Sequence, residues 1–260
     1  MNRNSIVQGL VLATKPVGEN NRLATVLTPD RGVLTAMVFG GRKGKLRSSV
    51  SPYHSGTMWL YIDAVKQSIK VNDFDPVKYR SEIRTNLYKT YAAAFCAEII
   101  IKNHCFASNV ITPNHFEDTT ELWVLVNAFL DGLHASSEND ARTGTLRFIW
   151  RYLSHLGIQC DTSMCSYCQN PVSWYSIQEQ NFLCNDCSHY EHKNNSSLLF
   201  QVSNESIAYL EAIMNLEPKE VRAIKLSQQS IQELHELLFY LIQQATHSKL
   251  QTLDAGRGIL

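Results

Sequence analysis

Short runs of alternating apolar and polar residues fill the first 80 positions of the chain. A side-chain period of two is typical of strands that bury one face. Residues 28–32, Thr-Pro-Asp-Arg-Gly, supply a turn between two of these runs. Five short strands with little helix favour a small closed barrel of the OB type over a sandwich, which usually needs about seven. The predicted strands cover residues 6–13, 23–27, 33–39, 58–62 and 68–71.

The hydrophobic period changes after residue 76. Ile83, Leu87 and Tyr91 begin a series of apolar positions spaced about four residues apart, which is typical of an amphipathic helix. The sequence therefore predicts a helical second part. Its helices are expected from residue 83 onward and at about 114–133, 140–156, 204–214 and 227–247.

Cys165, Cys168, Cys184 and Cys187 form a Cys-x2-Cys-x15-Cys-x2-Cys array. This spacing suits one tetrahedral zinc ion, with a small hairpin between the two cysteine pairs. Four protein ligands leave no open position, so we expect a structural Zn²⁺ rather than a catalytic ion or a redox pair. The predicted fold is thus α+β and multidomain: an OB-fold β-barrel at 1–80, then an α-helical domain at 81–260 with a four-cysteine zinc finger at about 160–190.

The 24 basic and 24 acidic residues cancel, but they are unevenly distributed. Residues 1–80 carry 12 Lys and Arg and 5 Asp and Glu, a formal charge of +7, and the remainder carries −7. A basic front end suggests a polyanionic partner, although an uneven, solvated surface is the alternative.

The other three cysteines have apolar surroundings, and we find neither a signal-peptide pattern nor a long apolar run. A cytoplasmic, nucleoid-associated protein without a membrane partner is expected.

Residues 39–49 place four cations and three glycines between two predicted strands. Glycine lets the backbone approach phosphates, which Arg and Lys neutralise. Alone, this segment would equally suit a solvated loop; on a +7 barrel it predicts sequence-independent binding of DNA or RNA. The predicted contacts are Arg22, Arg31, Arg42, Lys43, Lys45, Arg47 and Tyr53, and Lys15 could extend this basic track.

Three aromatic residues of the predicted barrel are candidates for stacking on bases. Trp59 and Tyr61 lie on the same side of one predicted strand, where we expect them to belong to the core. Tyr53, which follows a proline in a predicted loop, is the freer candidate.

Arg147 and Arg151 are four residues apart on a predicted helix, so both should project from one exposed side. With Phe148 and Tyr152 beside them, they could bind an acidic peptide that ends in a hydrophobic residue. An ordinary solvated helix face is the other interpretation.

The sequence offers little support for catalysis. Residues 189–191, His-Tyr-Glu, contain the His-x-Glu element of zinc deaminases, but they follow the cysteine pairs instead of preceding them. His189 as a replacement metal ligand stays open. We find no phosphate-binding lysine loop, no Gly-x-Ser-x-Gly elbow and no His-Glu-x-x-His helix. The chain is expected not to be an enzyme.

Five stretches of the first 60 residues resemble, in order and spacing, the N-terminal barrel of the RecO family of bacterial recombination mediators. Leu156-Gly157 ahead of the four cysteines is similar to the zinc-bearing members of that family. The stretches are Gly-Leu-Val-Leu at 9–12, Val-Gly-Glu-Asn-Asn-Arg at 17–22, Leu-Thr-Pro-Asp-Arg-Gly at 27–32, Val-Phe-Gly-Gly-Arg-Lys at 38–43 and Ser-Pro-Tyr-His-Ser-Gly at 51–56.

The resemblance implies non-enzymatic work in DNA repair and recombination. It implies binding of single- and double-stranded DNA, annealing of complementary strands and association with RecR. It also implies contact with the C-terminal tail of single-stranded-DNA-binding protein, so that RecA can be loaded. By this similarity, the leading DNA contacts are Arg31, Arg42, Lys43, Lys45 and Arg47.

Two other classes remain as alternatives. An RNA-binding adaptor in transcription or translation could also combine an OB-fold with a zinc knuckle, and it would prefer RNA to DNA. A protein-interaction scaffold with an incidental basic loop would bind no nucleic acid at low salt.

Overall fold

The computed structural model describes residues 3–40, 44–105, 117–195 and 198–260. They form two compact units: Met1–Ala141 with Leu250–Leu260, and Arg142–Lys249. This division does not test the boundary between barrel and helical domains that the sequence places at residue 80, which stays a prediction. The strands are β1 (Asn4–Val17), β2 (Asn21–Thr28), β3 (Gly32–Val38), β4 (Ser55–Asp63), β5 (Ser68–Lys78), β6 (Trp174–Ser176), β7 (Asn181–Leu183) and β8 (Leu199–Gln201). The helices are α1 (Lys45–Ser49), α2 (Leu87–His104), α3 (Thr120–Ala135), α4 (Glu138–His155), α5 (Asn185–Asn195), α6 (Asn204–Asn215), α7 (Pro218–Ala223), α8 (Gln228–Ala245) and α9 (Gln251–Ala255).

The first five strands close into a barrel in the order β1-β2-β3-β5-β4, and β1 pairs with β4 to complete it. The ladders are antiparallel except for a short parallel one between β3 and β5. This confirms the OB-like barrel that the alternating pattern predicted. β1 is longer than expected and is bulged between Val11 and Ala13, so one strand can pair with both β2 and β4.

Apolar side chains fill the barrel interior. Met58, Leu60 and Ile62 of β4 point inward and are at most 2% exposed. Because successive side chains of a strand alternate in direction, Trp59 and Tyr61 face outward, where both are half-buried. The expectation that these two aromatics belong to the core is therefore wrong.

Helix α1 lies in the segment between β3 and β4, which the sequence analysis treated as a loop. Leu46 of α1 and the following Val50 pack against the barrel core. Arg42 and Lys43 lie outside the described residues.

Arg80 joins the barrel to α3 within the first unit. Its buried guanidinium donates to the Asp131 carboxylate at 2.7 Å, to the Asn127 side chain at 2.7 Å and to the Tyr53 carbonyl at 2.6 Å. A buried guanidinium without such partners would be costly. Besides its buried apolar face, α3 is thus held by a polar cluster that the hydrophobic pattern did not predict.

The five predicted helices agree with observed ones to within a few residues, except at the start of α3, whereas α1, α5, α7 and α9 were not predicted. Helix α3 begins at Thr120, and residues 114–116 of its predicted range lie outside the described part of the chain. Asn86 caps α2 by accepting from the backbone N–H of Lys89, and a short 3₁₀ helix at Ser81–Thr85 precedes it.

The second unit contains most of α4, the three-stranded sheet β7-β6-β8 and α5 to α8. Trp150 of α4 is buried and donates from Nε1 to the Leu210 carbonyl of α6 at 3.1 Å. Residues 165–187, called the finger below, hold the cysteine array around the β6-β7 hairpin. In the described ranges, no helix is both long enough and apolar enough to cross a bilayer.

Candidate functional site

Several predicted nucleic-acid contacts lie together at one end of β2. Arg22 pairs with Pro16 of β1 and with Val38 of β3, and its Nη1 donates to the Arg47 carbonyl of α1 at 3.5 Å. Lys45, also on α1, is exposed, as is Lys15 beside Pro16. We call Lys15, Arg22, Lys45 and Arg47 the basic rim. Four cations on neighbouring elements produce a local positive field that suits a phosphate backbone.

Arg31 lies at the other end of β2, in the turn to β3. Its Nη2 donates to Ser5 Oγ at 3.0 Å, and its side chain is 17% exposed. The Asp30 carboxylate lies 3.9 Å from Arg31 Nε. The fold therefore does not bring Arg31 to the basic rim, and its Nη2 is engaged within the protein.

Tyr53 is not the free loop aromatic that the sequence suggested. Its backbone adopts a positive φ of 72°, and its N–H donates to the Val11 carbonyl at 2.7 Å. Burial raises the pKa of Tyr53 to about 12, with a smaller contribution from the Cys96 thiol of α2. The side chain is half-buried, as are those of Trp59 and Tyr61, and a stacking role for Tyr53 stays a prediction.

The outer face of the barrel carries aromatics that the sequence analysis assigned elsewhere or did not consider. Tyr61 lies directly opposite Lys70 in the β4-β5 ladder, and Phe39 follows the end of β3. Arg3 donates from Nη1 to Tyr61 Oη at 2.8 Å. We call Arg3, Phe39, Tyr61 and Lys70 the outer aromatic cluster. If Met58, Leu60 and Ile62 of β4 had been assigned to the core, the sequence analysis would have placed Tyr61 on the outer face.

Arg147 and Arg151 do not project freely from α4. Arg147 donates to Tyr209 Oη at 2.9 Å, and Arg151 donates from Nη2 to the Ile213 carbonyl of α6 at 3.1 Å. Burial lowers the pKa of Arg151, and the positive charges of Arg147 and Arg222 lower it further. The guanidinium groups of Arg147 and Arg222 are therefore close enough to Arg151 to repel its charge.

The neighbouring aromatics cannot serve the role that the sequence suggested. Phe148 and Tyr152 are at most 2% exposed, so neither can contact a peptide on the surface. The exposed apolar side chains of this unit instead include Met214 and Leu216, at the end of α6, and Ile224.

The four cysteines come together from two chain segments. Cys165 and Cys168 lie in a tight turn closed by the Cys165 N–H to the Asn170 carbonyl at 2.9 Å, while Cys184 and Cys187 flank the start of α5. The β6-β7 hairpin connects these segments, as predicted.

Their four Sγ atoms lie within 4.8 Å of one another. Among the described residues, His189 does not belong to this group.

The geometry fits a tetrahedral thiolate site. A Zn–S distance of about 2.3 Å requires S–S edges of about 3.8 Å. Cys168 Sγ lies 3.5 Å from Cys184 Sγ and 3.6 Å from Cys187 Sγ. Burial opposes ionisation of Cys165, but backbone hydrogen bonds to its sulfur bring its pKa down to about 6. The four residues could therefore bind a metal ion.

Comparison with protein families matches both parts of the chain. The family model described as "Recombination protein O N terminal" matches residues 1–79. The model described as "Recombination protein O C terminal" matches residues 84–254. Together they cover the barrel, the helices and the finger.

Individual relatives agree with this match. DNA repair protein RecO of Heliobacterium modesticaldum is 24% identical over 240 residues, which span 89% of this chain and 81% of the relative. The Oceanobacillus iheyensis protein of the same name is 20% identical over 90% of this chain and 85% of its own length. That of Myxococcus xanthus is 29% identical over 61% of each chain. The chain therefore belongs to the RecO family, whose role is in DNA repair and recombination.

Proposed function

We propose that this protein is a recombination mediator that binds single- and double-stranded DNA and anneals complementary strands. With RecR, it would help to load RecA onto DNA coated by single-stranded-DNA-binding protein. The observation that carries this proposal is the basic rim on an OB-like barrel in a RecO-family chain. The work is non-enzymatic and takes place in the cytoplasm, at the nucleoid.

The proposed mechanism is electrostatic. Two complementary strands repel each other through their phosphates, and a protein that holds both strands by Lys and Arg lowers that repulsion and releases counterions. The basic rim would supply these contacts, together with Arg42 and Lys43 of the same chain segment. Arg31 joins them only if a phosphate replaces its present partner Ser5.

The deciding experiment is the annealing of complementary single strands coated with their binding protein, without ATP. The proposal predicts faster annealing in the presence of this protein. No acceleration would overturn it, and preferential binding of RNA would favour the adaptor alternative.

A variant set tests the proposed DNA contacts. Replacing Arg42, Lys43, Lys45 and Arg47 together with Ala should weaken binding to all DNA sequences and flatten its salt dependence. Because Lys219 and Lys225 are exposed cations of the second unit, their double Ala variant is a control for the loss of surface charge. Unchanged affinity of the fourfold variant would move the DNA site elsewhere.

We also propose that Arg147, Arg151 and Arg222 receive the acidic C-terminal tail of single-stranded-DNA-binding protein. Burial lowers the pKa of Arg151 most, and an anion would relieve the further repulsion by Arg147 and Arg222; the exposed Met214 and Leu216 offer apolar contact for a hydrophobic terminus. Calorimetry with a tail peptide tests this proposal. Arg222→Ala should weaken binding of the peptide. In the contacts that the structure gives it, the exposed Arg222 side chain bonds only a carbonyl of its own helix, so the substitution should leave the fold intact.

The metal of the finger is proposed to be one structural Zn²⁺, held by Cys165, Cys168, Cys184 and Cys187. A closed shell of four thiolates supplies structural cross-linking, with no position left for a reacting molecule. Metal analysis of the purified protein should give one zinc per chain. Cys187→Ser should abolish this content, and full zinc content in that variant would exclude the site.

A further inference from the structure

The outer aromatic cluster places one ammonium group against two rings. Lys70 Nζ lies 5.3 Å from the centroid of the Phe39 ring and 5.8 Å from that of the Tyr61 ring. Both distances are within the ~6 Å over which a cation is attracted to an aromatic face. Strand register explains the arrangement, because Lys70 pairs with Tyr61 on one side and with Met37, two residues before Phe39, on the other.

A second cation holds Tyr61 from the β1 side. Arg3 Cζ lies 6.0 Å from the Tyr61 ring centroid, and Arg3 also donates to the phenol oxygen. Phe39 is 47% exposed, and Ile6 of the same barrel face is 65% exposed. An exposed aromatic side chain with cations beside it suits a binding surface.

The same barrel face changes its charge along β4. Tyr61 has Lys70 as its neighbour on β5, whereas Trp59 and Thr57 have the exposed Asp73 and Asp75. Asp63 follows on the same face beside Arg3, but Arg3, Lys66 and Lys70 outnumber it. A polyanion is thus attracted to the Tyr61 end and repelled from the Trp59 end. Charge complementarity therefore selects a polyanion for the outer aromatic cluster. Its aromatic rings favour a polyanion that also has flat apolar faces.

We propose that the outer aromatic cluster binds single-stranded DNA through its bases. Phe39 and Tyr61 stack on unpaired bases when Lys70 and Arg3 leave the ring faces and contact the phosphates beside them. In a duplex each base is covered by its neighbours in the stack, so the rings discriminate between single and double strands. This inference rests on the proposed function, to which it adds a base-dependent contact separate from the phosphate-dependent basic rim.

The test uses three DNA probes of equal length in fluorescence anisotropy: an oligothymidylate, an abasic single strand and a mixed-sequence duplex. The abasic strand keeps the phosphates but has no rings to stack on. Wild-type protein should bind oligothymidylate more tightly than the abasic strand. Phe39→Leu and Tyr61→Leu should each weaken oligothymidylate binding about tenfold and leave the other two affinities within about twofold.

Matched variants separate stacking from loss of fold or charge. Phe39→Tyr keeps the ring and should bind as wild type does. Tyr79→Leu removes a 55% exposed aromatic beyond the end of β5 and should change no affinity. Lys70→Ala should weaken oligothymidylate binding more than Lys66→Ala, which removes an exposed lysine from the neighbouring β4-β5 turn.

The outcomes distinguish this inference from the proposed function. Wild-type protein that binds none of the probes would overturn both. Normal wild-type binding with unchanged oligothymidylate affinity in Phe39→Leu and Tyr61→Leu would overturn the inference alone. Equal losses on single strand and duplex would also overturn it, since a base-stacking contact predicts loss on the single strand only.

Discussion

The barrel of the first unit and the finger of the second unit are stabilised by different kinds of interaction. In the first unit, inward side chains from all five strands form one apolar core, with Val26, Met58 and Leu60 fully buried. The finger of the second unit buries few large side chains, among them Tyr175 and Phe182, whose ring centroids lie 5.3 Å apart. A small lobe with so little apolar burial needs a cross-link, and the four cysteines can provide it.

Metal removal should therefore affect the two units unequally, and this is the largest effect that we expect. Structural zinc contributes on the order of 10–16 kcal/mol to the folding of isolated finger peptides. A chelator or Cys165→Ser should abolish amide-exchange protection in the finger and leave that of the barrel strands unchanged. Hydrogen exchange resolved by peptide measures both units in one sample.

Cys160 provides a control for this experiment. It is half-buried and its thiol donates to the Gln180 carbonyl at 3.2 Å, outside the group of four cysteines. Cys160→Ser should cost about 1 kcal/mol or less, the value of one ordinary hydrogen bond. If chelation also lowered amide-exchange protection in the barrel strands, the contrast between the units would not hold.

The first unit should instead depend on Arg80. Arg80→Ala leaves the Asp131 carboxylate without its buried partner and leaves the Tyr53 carbonyl without its donor. Asp131 is 40% exposed and keeps Lys78 as a partner, so the loss comes mainly from the hydrogen bonds of the buried guanidinium, where one bond to a charged group contributes about 1.5–3 kcal/mol. Urea unfolding followed by amide exchange should show the loss in the first unit.

Lys78 is the matched control, because its Nζ binds the same Asp131 carboxylate at 2.6 Å but its side chain is 50% exposed. An exposed ion pair contributes about 0–1 kcal/mol, so Lys78→Ala should be nearly neutral. Similar losses in Arg80→Ala and Lys78→Ala would show that burial of the guanidinium is unimportant.

The sequence predicted the barrel better than it predicted the site. Alternating residues and turn signals determine strands locally, and all five strands were found. The phase of β4 was uncertain because Met58, Trp59, Leu60 and Tyr61 are all apolar or aromatic, so neither face is marked as polar.

Side-chain directions at the site depend on contacts between distant residues. Arg151 donates to a carbonyl 62 positions away, and Tyr53 is half-buried near Cys96 of α2. Helical spacing and loop composition carry no information about such partners. The cysteine array was predictable because its ligand spacing is itself the signal.

Acid should weaken the second unit through a pair of reciprocal helix caps. Glu233 of α8 accepts from the Ser203 N–H at 2.9 Å and from Ser206 Oγ at 2.8 Å, at the start of α6. Glu205 of α6 accepts from Ser227 Oγ at 2.5 Å, at the start of α8. Each helix therefore supplies a carboxylate to the N-terminus of the other, where the dipole favours negative charge.

Burial would raise the pKa of Glu233, but hydrogen bonds from Ser203 and Ser206 lower it below the ordinary 4.5. A lowered folded-state pKa means that the stabilisation is complete above about pH 4.5 and is lost as the pH falls through the folded value. Glu233→Gln should reduce the loss of second-unit stability between pH 7 and acid.

Glu236→Gln is the control for the pH experiment, since the Gln232 side chain of its own helix is the partner that the structure gives Glu236. It should keep the acid dependence of the wild type. If Glu233→Gln had the same pH profile as the wild type, the reciprocal caps would not account for the acid dependence. The contrast between the units would then be weaker.

The smallest effect should come from Glu98, which attaches the C-terminal helix to α2 in the first unit. Its carboxylate accepts from the N–H groups of Gln251 at 2.8 Å and Thr252 at 2.9 Å, at the start of α9. Glu98→Ala should cost about 1 kcal/mol, as loss of a helix cap does. Amide exchange should rise in residues 250–260 and stay unchanged in the barrel.

Gly256→Ala tests the same attachment from the other side, because a Cβ there would lie 2.8 Å from the Tyr91 ring of α2. Both variants should release α9 alone, since the barrel core has no need of α9 to bury its apolar side chains. Loss of barrel protection in either variant would mean that the first unit depends on its polar attachments as much as on its core. Polar attachments would then be important for the stability of both units, and the metal ion of the finger would be what distinguishes them.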